Sequence, residues 1–79
     1  MNSMVRYIGL LGVEVRALKR AGEVELGVLR AVAEMMTVGQ PITGSHDGAL
    51  YPLTVIEIVP PPANSAVARV TVRTRQDGP

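Results

Sequence analysis

The 79 residues contain no cysteine and one histidine and carry a formal net charge of +1, which describes a single small domain, 1–79, with no disulfide and no thiolate metal site. Eight Lys plus Arg against seven Asp plus Glu lack the basic excess of a general nucleic-acid binder, and no uncharged apolar run is long enough to cross a bilayer. Hydrophobic residues nonetheless reach 47% without any Phe or Trp, so composition predicts a soluble, cytoplasmic chain that hides surplus Val, Leu, Ile, Ala and Met surface in a homo-oligomer or against another protein.

The first segment, Met4 to Leu18, supports two periodicities. As a helix, Met4, Ile8, Leu11, Val15 and Leu18 form a stripe at spacings of three and four. As a strand, Val5, Tyr7, Leu11, Val13 and Val15 share a face opposite Arg6, Glu14 and Arg16. Gly9 and Gly12 weigh against the helix, because each interior glycine costs about 1 kcal/mol relative to alanine, and the strand is preferred. Tyr7 to Val13 has the apolarity of a signal-peptide core, but Glu14 and Arg16 follow at once with no small-residue cleavage site.

Lys19 to Gly22 reads as a turn into a helix, because Val28 to Met36 is rich in helix formers and Glu23 and Glu25 suit a helix N-terminus. A competing reading makes Arg20 to Glu23 a hairpin turn that pairs Val13, Val15 and Ala17 with Leu26 and Val28. Met4, Met35 and Met36 suit either core filling or an adaptable contact surface. Gly39 to Gly48, punctuated by Pro41 and Gly44, is predicted to be a long loop. Leu53 to Val59 reads as an interior strand, apolar on both faces apart from Thr54 and Glu57. Pro60 to Ser65 connects it to a final strand, and Gln76 to Pro79 reads as a frayed tail.

That final strand is the best-marked segment. Ala66, Ala68, Val70, Val72 and Thr74 alternate with Val67, Arg69, Thr71, Arg73 and Arg75, giving one dry face and one carrying three guanidinium groups. Placing Glu57 opposite Arg69 sets Ile56 against Val70 and Ile58 against Ala68. The predicted fold is therefore a small α+β domain of strand, helix and hairpin, with a three-stranded antiparallel sheet and one helix on a face; the alternative has two helices before the hairpin.

Catalytic signatures are missing. Ser45, His46 and Asp47 contain nucleophile, base and acid, but adjacent residues splay apart, whereas a triad converges from different segments. Gly39 to Gly44 has P-loop glycine spacing, yet Ser45 and His46 stand where Lys and then Ser or Thr are required. His46 and Asp47 alone fall short of a metal site, and no cofactor is expected. Arg69, Thr71, Arg73 and Arg75 remain as a partner-binding row, its guanidiniums spaced for carboxylates or phosphates, against a plain reading as a solvated face. The expected function is a non-catalytic interaction or assembly module, a profile shared by small accessory proteins of phages and mobile elements that block a host complex. The alternative is a small DNA-binding regulator using the same arginines on phosphates.

Gly48-Ala49-Leu50-Tyr51-Pro52-Leu53 resembles the Gly-x-Leu-Tyr-Pro-Leu stretch at the recognition helix of PadR-type winged-helix regulators. In that family a charged helix continues past the motif. Here Thr54 to Val59 is strongly β-forming and leaves no room for it, so membership is not inferred.

Overall fold

The computed structural model describes residues 5–75. It comprises β1 (Tyr7–Gly9), α1 (Gly12–Ala21), β2 (Glu23–Leu29), α2 (Arg30–Ala33), β3 (Pro41–His46), β4 (Ala49–Val59) and β5 (Val67–Thr74). The strands form one five-stranded sheet in the order β1-β3-β4-β5-β2, with β1 parallel to β3 and every other pair antiparallel. The sheet curls into a half-barrel. The predicted three-stranded antiparallel sheet is thus too small by two strands, and the two-helix alternative fails with it.

Each difference has a local cause. The first segment is strand only as far as Gly9, and residues 12–21 are helical. Gly12 is the first helical residue, where a glycine costs little, and the helix carries its own start and stop signals. Glu14 accepts a hydrogen bond from the Leu11 N–H at 2.7 Å, Lys19 and Arg20 occupy the last turn, and Gly22 closes it at φ 78° with its N–H on the Leu18 carbonyl. Of the predicted stripe, Val15 and Leu18 are buried, Leu11 is exposed, and Met4 lies outside the described residues.

The predicted helix from Glu23 is mostly β2, with helix confined to Arg30–Ala33. Its first half alternates Glu23, Glu25 and Gly27 with Val24, Leu26 and Val28, and that period of two outweighs helix propensity once β5 is there to pair. The competing hairpin reading had the strand state of Leu26 and Val28 but the wrong partner, since they face Val70 and Ala68.

The predicted loop over 39–48 holds a third element. Pro41–His46 is strand β3, and Asp47 at φ 51° with Gly48 at φ 84° make a two-residue turn into β4. Asp-Gly is the pair that accepts positive φ at both central positions of such a hairpin. Gly44 marks a close approach rather than a loop: a Cβ there would lie 2.6 Å from Leu10 Cδ1 and 3.0 Å from Leu53 Cδ1.

The β4–β5 hairpin forms, with a bulge between Val55 and Glu57. Glu57 consequently faces Thr71, Ile58 faces Val70 and Val59 faces Arg69, which corrects the predicted register. The extra residue also explains why this run looks apolar on both faces. Leu53 and Val55 point inward before the bulge and Ile58 after it, so the inward set changes parity along the strand.

The concave face holds a single core. Leu26, Ile42, Leu53, Val55, Val70 and Val72 are its largest fully buried side chains, closed over by Leu10, Val15 and Leu18 on one side and Ala33 and Met36 on the other. Gln40 is the one buried polar residue among those described, and it is satisfied throughout. Its side chain accepts from the Thr37 N–H at 2.6 Å and donates to the Val5 carbonyl at 2.8 Å, while its own carbonyl accepts from Val55. Arg30 ties down the proline connection by donating to the Ser65 carbonyl at 2.8 Å. The tail beyond Arg75 lies outside the described residues.

Candidate binding surfaces

β5 presents its dry and charged faces as the alternation requires. Ala68, Val70 and Val72 are fully buried, whereas Arg69 and Arg73 are exposed on the convex face with Thr71 half-buried between them. The neighbouring strands, however, convert this row into a mosaic. On one side Glu23 stands opposite Arg73 and Glu25 opposite Thr71; on the other Glu57 stands opposite Thr71. Arg73 Nη2 reaches Glu23 Oε1 at 3.2 Å. Three carboxylates therefore share the patch with two guanidiniums, and long side chains on diagonal positions of adjacent strands are within reach of one another.

Arg75 departs from the row. Its backbone N–H donates to the Pro52 carbonyl at 2.9 Å and its Nη1 to the Leu53 carbonyl at 3.2 Å, which turns the guanidinium toward β3 and β1. There it borders a cleft of about 350 Å³ together with Arg6, Tyr7, Pro41, Ile42 and Thr43. The sequence pattern brought Arg69, Thr71 and Arg73 together; it did not separate Arg75 from them or pair it with Arg6, because the parallel β1–β3 contact that places Arg6 has no signature in a three-residue strand.

His46 and Asp47 have structural places. His46 Nδ1 lies 2.9 Å from the Leu10 carbonyl, a contact that needs the Nδ1–H tautomer, and its ring sits beside Gly12 at the start of α1. Asp47 occupies the first central position of the β3–β4 turn. Among the described residues no group of three or more His, Cys, Asp or Glu is placed to hold a metal ion. None of their helices is long and apolar enough to cross a membrane.

The remaining surface feature is the outer edge of β2, the last strand of the sheet. Thr74 donates to the Gly22 carbonyl at 2.8 Å and Arg30 to the Ala66 carbonyl at 2.7 Å, which fixes the ladder phase. Even-numbered residues of β2 direct their N–H and C=O toward β5, and Glu23, Glu25, Gly27 and Leu29 direct theirs away from it. All four residues are exposed, including Gly27, whose surface is backbone alone. The opposite edge of the sheet, β1, is three residues long. Sequence reasoning missed the β2 edge because it assigned these residues to a helix; the Glu-Val-Glu-Leu-Gly-Val alternation was the available signal.

No family model, curated protein or solved structure matches this chain.

Proposed function

We propose that the protein is a non-catalytic assembly module that pairs with a second copy of itself through β2. The observation that carries this reading is the open edge: seven residues without Lys or Pro, in which Glu23, Glu25 and Gly27 turn their N–H and C=O away from β5, before Leu29 caps α2. An antiparallel pairing with the two-fold axis at Leu26 sets Glu25 against Gly27 and Glu23 against Leu29 of the second copy, so the outward donors and acceptors of Glu25 and Gly27 meet one another. On the inner face Leu26 meets Leu26, and Val24 meets Val28. A two-fold at Glu25 would oppose two glutamates directly, which is unfavourable. The glutamates thus select a register. The exposed pair Leu29 and Val67, 62% and 47% accessible on the same face, would gain cover at the ends of the joined strands.

Light scattering across a dilution series tests this, with an expected mass twice that of the 8.4 kDa chain. Glu25→Pro removes one outward N–H without touching the ladder to β5, and should yield a folded monomer by circular dichroism. In the wild-type dimer the Glu25 and Gly27 amides should be protected from hydrogen exchange. A wild-type chain that stays monomeric at millimolar concentration, or a Glu25→Pro chain that stays dimeric, overturns the proposal.

A further inference from the structure

Resting on the β2 pairing proposed above, we infer that Arg69 of each copy forms an ion pair with Glu25 of the second copy across Gly27, and that these two pairs select a second copy of this chain as the partner of the edge. On the convex face Glu23 and Arg73 already hold each other, the one salt bridge among the described residues. Glu25 and Arg69 are both exposed and form none there, although they stand on diagonal positions of adjacent strands. Arg69 faces Gly27 in β2 and Val59 in β4, so neither ladder sets a carboxylate directly against it; Glu57 opposes Thr71, one diagonal away.

The two-fold at Leu26 supplies the missing partner. It places Glu25 of the second copy on the far side of Gly27 from Arg69, on the same face of the joined sheet. The two Cα atoms are then about 10 Å apart across the two ladders, a gap that an extended arginine and glutamate close between them. A side chain at position 27 would stand in that gap, and glycine leaves it open. The same two-fold sets the two Glu25 residues on diagonal positions about 7–8 Å apart, where they repel each other. An Arg69 from the opposite copy beside each of them turns that repulsion into a network of alternating sign. The charges therefore read the identity of the partner, because a strand edge without an arginine one strand further in would leave the glutamates opposed. Adjacent rows need no such help: Glu23 keeps Arg73 and meets Leu29 of the second copy.

The test is a charge exchange between two full-length chains, Glu25→Arg and Arg69→Glu, with fold checked by circular dichroism and mass by native mass spectrometry and light scattering at low salt. Each variant alone gathers like charges at the two-fold and should dimerise about ten-fold or more weakly than wild type. Mixed in equal amounts, the two should form a heterodimer in preference to either homodimer, since every contact across Gly27 is then between opposite charges. Glu25→Arg mixed with Arg16→Glu, which matches the Arg69→Glu chain in net charge but alters an exposed residue of α1, should give no such preference. Arg69→Gln, the mildest change, should weaken the wild-type dimer about three-fold and flatten its dependence on NaCl. If wild type is a dimer that Glu25→Pro breaks, yet both charge reversals leave it unchanged or the mixture shows no preference for the heterodimer, the ion pairs are overturned and the edge pairing stands. A monomeric wild type overturns both.

Discussion

The two faces of β5 are made of alternate residues of one short strand, yet they are held by different physics. On the concave side Ala68, Val70 and Val72 lose all contact with water, and their contribution scales with the apolar area they bury. On the convex side Arg69 and Arg73 stay in water and act through charges on neighbouring strands, where high dielectric and salt reduce each pair to a fraction of a kilocalorie per mole. Stability is therefore concentrated on one face and specificity on the other, and substitutions on the two should differ several-fold in cost.

The largest effect is expected at Leu53, which is fully buried at the centre of the concave face and abuts the surface of Gly44. Leu53→Ala should lower unfolding free energy by about 2–5 kcal/mol, against a total of about 4–12 kcal/mol for a chain of this length. Urea denaturation measures it. A loss below about 1 kcal/mol would mean that the concave face is packed more loosely than its burial indicates, and the contrast between faces would fail.

Two glycines sharpen the comparison. Gly44 faces inward beneath Leu10, whereas Gly27 faces outward beside Val67, where an added Cβ would lie 3.3 Å from Cγ1. Gly44→Ala forces Leu10 out of its place and should cost about 1–3 kcal/mol. Gly27→Ala should fall within about 0.5 kcal/mol of wild type, since the Val67 methyl is exposed and can give while a strand glycine is itself unfavourable. Equal losses at the two positions would mean that backbone conformation, not close approach, requires the glycines.

The same division explains how much of the fold the sequence disclosed. The alternation of β5 was legible because from Ala68 to Arg73 one face is wholly apolar and the other wholly polar, and its pairing with β4 followed, though not the register. β2 was obscured because Arg30-Ala31-Val32-Ala33 continues directly from it as a helix, so that a propensity average over the segment blurs a strand into its successor. β3 was hidden by Pro41 and Gly44, residues whose usual meaning is a loop; only the placement of Leu10, fixed by tertiary structure, reveals why a glycine belongs inside that strand. The Asp47-Gly48 turn was readable and would have exposed the β3–β4 hairpin. Of the candidate surfaces, the arginine row was visible along one strand, but the glutamates that flank it and the cleft that takes Arg75 both depend on which strands become neighbours.

The smallest effect is expected at the Arg73–Glu23 pair, and it bears most directly on what the convex face is for. The side chains are 60% and 46% accessible at a separation of 3.2 Å, so Coulomb attraction is largely screened and the cost of fixing two long side chains offsets much of the rest. Arg73→Ala should change stability by less than about 1 kcal/mol, and the double variant with Glu23→Ala should show a coupling of about 0.2–0.5 kcal/mol that fades in molar salt. A coupling above about 2 kcal/mol would place the pair in a desolvated network, and the convex face would then be a second stabilising layer. With the small value, the charges on this face are free to be judged by binding alone. Glu23→Gln should then leave the fold intact while shifting the patch from an excess of carboxylates to balance, since two glutamates would remain against two arginines.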